Sequence, residues 1–441
     1  MKLYIRTFGC QMNVHDSARI ADLLGLQGYS VIDEPKEADV ILINTCSVRE
    51  KARHKAVSEA GKMCLYKRHR PNLVVAVVGC VAQQEGEGLL KASPSLDLVV
   101  GPDHYGKLPA LLDDVIRERR RQAIRGFDQG LPEDFLTVEG AAQKGPSAFL
   151  TIMKGCSRHC AYCIVPSVRG PERFRDVEGI LKEARDLVDR GVKELYLLGQ
   201  TVNCYKKDGV TFAALLGMLD QIPGLERLRF TSPHPRHMTD ELISAYGTLR
   251  TLCESIHLPV QSGSDAVLKA MRRGYTSDFV REVARKLRDR DAAFHITTDL
   301  IVGFPHETEA DFEETLKMYE DIRFTGAFSF KYSPRPGTKA EQEMIDDVLE
   351  TEKSRRLEVL HTVINRIEQE NRDALVGQSL EILVEGPAKL PGQLTGRARN
   401  NQIVNAKIPN DGILEPWIGR LLTVEITRAL PHSLEGAAAE K

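Results

Sequence analysis

Cys156, Cys160 and Cys163 in "TIMKGCSRHCAYCIVP", residues 151–166, bring three thiols into one short loop with the spacing Cys-x3-Cys-x2-Cys. Thiolates hold the iron of iron–sulfur clusters, and a four-iron cluster with three protein thiolates keeps one iron open to an outside ligand. The competing chemistry is structural zinc. It needs a closed set of four ligands, usually paired Cys-x2-Cys, and His159, adjacent to Cys160, makes an awkward fourth. A second set of thiols is dispersed: "FGC" at Cys10, "NTC" at Cys46 and "VGC" at Cys80, each closing an apolar run.

The elements that must position these thiols follow from the hydrophobic pattern. Residues 1–140 alternate strands with helices, and the runs "KLYIRTFG", "VILINT" and "LVVAVVG" are bounded by glycine or polar turn residues. This is a parallel, Rossmann-like α/β domain. Strand ends in such a sheet face one crevice, where Cys10, Cys46 and Cys80 would converge. The stretch 117–145 passes from a basic run into Gly, Pro and acidic residues and reads as the domain boundary. Beyond it, "AFLTIM", "ELYLLG", "RLRFTS", "SIHLPV", "AFHITTDLIVG" and "GAFSFKYS" are strands with amphipathic helices between them, a partial TIM-type (β/α)6 barrel over 146–373. Residues 338–372 read as helical. Short strands and turns over 374–436 predict a small β-barrel.

Composition agrees with a multidomain globular chain: 441 residues, 42% hydrophobic and 28% charged. Acidic and basic residues nearly cancel, 62 against 60, so a polyanion must be met by a local basic patch. Such runs occur at 49–56, 67–70, 117–121 and 395–402. The start has no apolar signal region, and the longest apolar run, 73–82, falls short of a membrane span. No membrane partner and a cytoplasmic location are expected. Nine cysteines, an odd number in a long chain, point to metal or redox chemistry over disulfides.

The Cys-x3-Cys-x2-Cys loop, placed just after the first barrel strand, resembles the radical S-adenosylmethionine enzymes. That resemblance implies that the open iron chelates the methionine part of S-adenosylmethionine, whose reductive cleavage gives methionine and a 5′-deoxyadenosyl radical. "TFGCQMNVHDS", "NTCSVRE", "VVGCVAQ", "LLGQTVNCY", "HLPVQSGSD", "GFPHET" and "YSPRPGT" are together similar to the methylthiotransferases, nearest the MiaB type that acts on tRNA, and the C-terminal barrel resembles the TRAM domain. The resemblance implies that Cys10, Cys46 and Cys80 hold a second 4Fe–4S cluster, and that two molecules of S-adenosylmethionine place a methylthio group at C2 of N6-isopentenyladenosine, position 37 of the tRNA anticodon loop. It also implies a low-potential electron donor, a sulfur source and a monomer. Branches acting on N6-threonylcarbamoyladenosine or on a ribosomal-protein aspartate usually differ at "HLPVQSGSD". A non-enzymatic RNA-binding iron–sulfur protein is the remaining alternative, and two trios each one ligand short speak against it.

Supporting residues follow from the same frame. Tyr162, between two cluster thiols, is placed against adenine, or packs the loop. Gly199, Gln200 and Asn203 end a barrel strand, where ligand groups sit; a plain turn is the alternative. Gln261 and Ser262, with His257, and Asp299, with Thr298, are further candidates for the cofactor. His306 stands where the family usually has glycine. Arg397, Arg399 and Asn400 in "TGRARNNQ" are the candidate RNA contacts. Cys64 and Cys253 read as small buried hydrophobes, and Cys204 stays open.

Overall fold

The computed structural model describes residues 1–47, 50–128, 130, 145–407 and 415–438, with backbone alone at 50–54, 56 and 415. Most of the basic run 49–56 and of the boundary stretch 117–145 therefore lies outside the described side chains. The chain divides into two units: Met1–Gln143 with Lys154–Arg158 and Cys163–Asp176, and Lys144–Met153 with His159–Tyr162 and Val177–Lys441.

The first unit is built on a six-stranded parallel sheet in the order Ser30–Val31, Lys2–Thr7, Val40–Thr45, Val74–Gly79, Leu98–Val100, Gln122–Ile124. Val40–Thr45 and Val74–Gly79 are buried at every position. Unbroken apolar runs of this kind mark parallel strands covered on both faces. On one face Val40, Leu42, Val74 and Ala76 pack with Ile20 and Leu24 of helix Gln11–Gly25 and with Leu112 of helix Leu108–Glu118. On the other, Ile41, Ile43 and Val75 pack with Ala60 and Met63 of helix Glu50–Cys64.

The second unit carries six parallel strands in two sheets of three. Ser147–Thr151, Glu194–Leu198 and Arg227–Phe230 form one; Ser255–His257, His295–Val302 and Gly326–Lys331 form the other. A single parallel bridge, Leu228 with Leu252, links them, through Leu228 N to the Thr251 carbonyl (2.7 Å) and Cys253 N to the Leu228 carbonyl (3.1 Å). The expected (β/α)6 half-barrel is thus present with a seam at its middle.

The helical stretch expected over 338–372 is interrupted. Helices Lys339–Glu343 and Glu350–Asp373 flank an irregular segment. Two aspartates account for the break. Asp346 takes Lys353 Nζ on both oxygens (2.6 Å each), and Asp347 accepts from His306 N and pairs with His306 Nδ1 (2.8 Å each). His306 adopts φ +67°, a left-handed backbone that glycine enters without strain, so Asp347 holds a conformation the histidine itself disfavours.

The C-terminal strands close into a barrel in the order Ser379–Pro387, Gln393–Ala398, Ile403–Lys407, Leu434–Ala438, Leu421–Ala429. Ile382, Val384, Leu394, Val404, Val424 and Ile426 fill it. Two buried arginines fasten it to the half-barrel. Arg227 Nη2 donates to the Glu381 carbonyl (2.9 Å), and Arg229 donates to the carbonyls of Ala398 (2.7 Å) and Arg399 (2.8 Å), to Glu194 (2.7 Å) and to Ser255 Oγ (2.6 Å). Arg229 therefore joins both sheets and the small barrel at one point. His295 is buried beside it, with Gln402 Nε2 3.1 Å from its Nε2.

Arg229→Met strands a fully buried Glu194 carboxylate, and we expect a loss of about 3 kcal/mol or more in urea unfolding followed by circular dichroism. Burial, with help from Arg229 and Arg372, depresses His295 to about 3. The unfolded chain then binds the extra proton, so stability is full above pH 6.5 and falls as the pH drops from there toward 3. Between pH 6.5 and 5 the loss is about 2 kcal/mol. His295→Gln, unfolded at both pH values, should show an acid-induced loss smaller by that amount; an unchanged loss would remove His295 from the account.

Candidate active site

Thr45 pairs with Gly79 across the first unit's sheet, so Cys46 and Cys80 leave their strands level with each other. Cys10 follows the neighbouring strand and caps helix Gln11–Gly25. Two glycines allow these backbones to meet. Gly9 (φ +118°) would put a Cβ 2.2 Å from the Cys46 Cβ, and Gly79 (φ +97°) would put one 2.5 Å from the Thr45 carbonyl oxygen. The Cys10 thiol is hydrogen-bonded to Cys46. That bond lowers it from 9.0 to about 6, against burial and with help from Arg169. Burial pushes the Cys80 thiol up, and Arg169 opposes it.

Arg169, 3% exposed, reaches three partners: Cys80 Sγ (3.2 Å), Asn13 Oδ1 (2.9 Å) and Asp16 Oδ2 (2.8 Å). Asn44 Nδ2 donates to the Asn13 carbonyl and to Ser17 Oγ (2.9 Å each). Sequence reasoning missed Asn13, Asp16, Asn44 and Arg169. The signal for Arg169 was a lone arginine ending the short apolar helix Val165–Arg169 before Gly170.

The second trio follows strand Ser147–Thr151. Cys156 and Cys163 belong to the first unit, Cys160 to the second. Lys154, buried against Asp103 (2.6 Å), anchors the start of the loop. Gly155 (φ +82°) would drive a Cβ into the Pro171 carbonyl, and Cys156 N donates to the Gly170 carbonyl (2.9 Å). Backbone amides point at sulfur: Arg158 N at Cys156 Sγ (3.4 Å) and Val165 N at Cys163 Sγ (3.5 Å). Cys160 Sγ receives Arg273 Nη1 at 3.3 Å. Ala161 is held by Met271 and by Ala340, through backbone bonds of 3.0 and 2.7 Å.

Donors aimed at sulfur stabilise thiolates, the form that binds iron. Such donors reach Cys80 in the first trio and each of Cys156, Cys160 and Cys163, and so suit these thiols to iron ligation. Among the described residues no three His, Cys, Asp or Glu side chains are drawn in around one ion; a four-iron cluster does not ask for this, since each thiolate serves its own iron.

The other candidates divide. Asp299 Oδ2 lies 3.3 Å from His257 Nε2, and His257 Nδ1 lies 3.0 Å from Thr297 Oγ1, so adjacent strands bring a half-exposed acid and base together. Gln261 holds φ +77° while its backbone bridges to Asp299 and Ile301 (2.8 and 2.9 Å). Tyr162 packs beside Met271, Phe304 and Tyr332. Gly199 passes so close to Met153 that a Cβ would lie 2.3 Å from its Cγ; Gln200 beside it is half-buried. Asn203 holds the backbone of His234 at both ends of its amide (3.0 and 2.8 Å), and Ser262 Oγ lies 3.2 Å from Thr315 Oγ1.

In the small barrel Arg399 is bound by both Glu254 oxygens (2.8 Å each) and the Leu252 carbonyl (2.8 Å). Arg397 bonds Glu385 (3.2 Å), and Asn400 Oδ1 accepts from Gln402 N (3.2 Å). Basic residues of the earlier runs are also engaged: Lys67 with Asp97, Arg70 with Asp39, and Arg121 with the carbonyls of Leu90, Ser93 and Leu96. Cys64 and Cys253 are buried, and Cys204 is partly exposed.

Three family models match the chain: Uncharacterized protein family UPF0004 over residues 2–101, the Radical SAM superfamily over 150–319 and the TRAM domain over 373–439. The Radical SAM match implies a 4Fe–4S cluster and S-adenosylmethionine. Among solved structures, the fold is similar to the radical S-adenosylmethionine methyltransferase TsrM from Kitasatospora setae (TM-score 0.58, 13% identity, covering 89% of this chain and 80% of that one). It is also similar to the cobalamin-dependent radical enzyme OxsB (TM-score 0.51, 13% identity, 82% and 56%). Curated relatives run end to end. The tRNA-2-methylthio-N(6)-dimethylallyladenosine synthases of Bordetella petrii (45% identical, covering 100% of this chain and 92% of the relative), Ralstonia nicotianae (44%, 100% and 98%) and Ruegeria pomeroyi (43%, 99% and 99%) are examples. With identity of this degree over its whole length, the chain belongs to the tRNA-2-methylthio-N(6)-dimethylallyladenosine synthase family, within the radical S-adenosylmethionine superfamily.

Proposed function

We propose that this chain is a radical S-adenosylmethionine methylthiotransferase that places a methylthio group on C2 of N6-isopentenyladenosine at position 37 of tRNA. The observation that carries the reading is the end-to-end identity with relatives of that name. Cys156, Cys160 and Cys163 hold the radical cluster and leave one iron for S-adenosylmethionine. Cys10, Cys46 and Cys80 would hold a second cluster. When bound, these groups would supply radical chemistry at the first site and sulfur-group chemistry at the second.

The chain's own residues orient and enclose. Tyr162 lies along the adenine, and Gly199, Gln200 and Gln261 offer backbone and amide contacts to the methionine part. Asp299, paired with His257, carries the nearby polar contact; Asn203 and Ser262 act through the loops they hold. From the TRAM barrel Arg397 and Asn400 meet the anticodon-loop RNA, and Arg399 joins them only by giving up its pair with Glu254. A low-potential donor delivers the electron and a separate sulfur source replenishes the second site. The domains are 1–140, 146–373 and 374–436.

Iron and sulfide analysis of anaerobically reconstituted protein tests the cluster assignment. We expect about eight irons in the wild type and about four after either Cys156/Cys160/Cys163→Ala or Cys10/Cys46/Cys80→Ala. The second variant should still cleave S-adenosylmethionine yet give no methylthio nucleoside when tRNA bearing isopentenyladenosine is digested and read by mass spectrometry. Radical turnover by wild type without that nucleoside would sink the substrate assignment. Gly79→Ala, which forces a Cβ against the Thr45 carbonyl, should reproduce the second variant's loss of about four irons while every cysteine remains. Full iron loading in Gly79→Ala would show that close approach of these strands is not required.

A further inference from the structure

Arg273 is buried, 6% exposed, and its guanidinium is held at three points: Nε on Tyr275 Oη (2.7 Å), Nη2 on the Pro259 carbonyl (2.7 Å) and Nη1 on Cys160 Sγ (3.3 Å). Tyr275 Oη in turn donates to the Val260 carbonyl (2.9 Å), which fixes its lone pair toward Arg273. Three other buried arginines meet a carboxylate: Arg169 meets Asp16, Arg229 meets Glu194 and Arg356 meets Glu307. Arg273 has no carboxylate partner among the described residues. The ionisable groups that bear on it are Tyr162, Tyr275 and Cys160.

A guanidinium taken out of water without a counter-charge is strongly unfavourable, and it cannot shed its proton. The anion that answers it must therefore come from what Cys160 binds. We propose that Arg273 is the fixed counter-ion of the cluster held at Cys160 and that it sets the reduction potential of that cluster. The inference rests on Cys160 being a ligand of the radical cluster. Three thiolates leave the oxidised assembly with one net negative charge, and one electron from the external donor adds a second. Arg273 gains no proton and breaks no bond in this step. Its charge, donated to a ligand sulfur, favours the more negative state, so it raises the potential. Arg169 stands against Cys80 in a similar way, but Asp16 neutralises it, so its effect on potential is weaker.

The test uses Arg273→Lys and Arg273→Gln beside the unsubstituted residue, each in the full chain carrying Cys10/Cys46/Cys80→Ala so that one cluster is read, without S-adenosylmethionine. Iron content and an electron paramagnetic resonance redox titration are measured. Arg273→Gln should lower the reduction equilibrium constant at least tenfold, about 59 mV for one electron, while Arg273→Lys stays nearer the parent. Loss of iron in Arg273→Gln with iron retained in Arg273→Lys also supports the charge. If Lys and Gln behave alike, both at the parent's midpoint or both without iron, the inference is overturned. A parent chain that assembles no four-iron signal defeats the cluster reading instead, and the two failures are told apart.

Discussion

A guanidinium moved out of water has to be met by fixed acceptors on several sides, because its five donors and its charge are all left unsatisfied otherwise. This chain places that demand at junctions. Arg229 draws Glu194 from one three-stranded sheet, Ser255 from the other and two carbonyls from the small barrel to a single point. The seam between those sheets has one bridged residue pair, so the arginine supplies cross-linking that the hydrogen-bond ladder lacks there. Arg169 does the same inside the first unit, joining helix Gln11–Gly25 to the thiol after another strand. Because the arginine and its carboxylate are both buried at each junction, loosening one contact exposes the others to the same penalty, which makes these junctions cooperative.

Parallel topology supplies the second constraint. Each strand in the first sheet ends at the same edge, so residues remote in sequence are delivered together without a dedicated loop. Delivery is not enough, since Cβ atoms on neighbouring turns would collide. Gly9 and Gly79 remove the colliding atom at the two places where the chain turns away from its strand, and both take positive φ to do so. Glycine directly before cysteine in "FGC" and "VGC" is thus a steric requirement of bringing those thiols close.

The elements were legible because their signals are local. Unbroken β-branched runs such as "VILINT" mark buried parallel strands, and the cysteine at each strand end could be assigned a direction from topology alone. Contacts between distant segments were not legible. The place of Arg169 at the end of a short apolar helix hints at burial but not at its partners, nothing marks Arg273 among the chain's many arginines, and both act on sulfurs far away in sequence. Asn203 and Ser262 sit in segments that look like ligand loops, yet their side chains close hydrogen bonds to His234 and Thr315. The break at 344–349 was also hidden, because its acidic and apolar residues keep a helical pattern while Asp346 and Asp347 answer Lys353 and His306 from other parts of the fold.

The small barrel shows why residue type underdetermines role. Arginine suits phosphate because its planar fork makes two parallel bonds, and the same fork suits a carboxylate. Arg399 grips both oxygens of Glu254 and a backbone carbonyl besides. A phosphate approaching Arg399 has to compete with a bidentate, half-buried carboxylate whose loss would leave Glu254 unpaired beside the seam. Contact with RNA at this residue is therefore coupled to how the barrel is fastened: a phosphate that takes Arg399 loosens the docking, and one that leaves the Glu254 pair intact must be met by other donors on the same face.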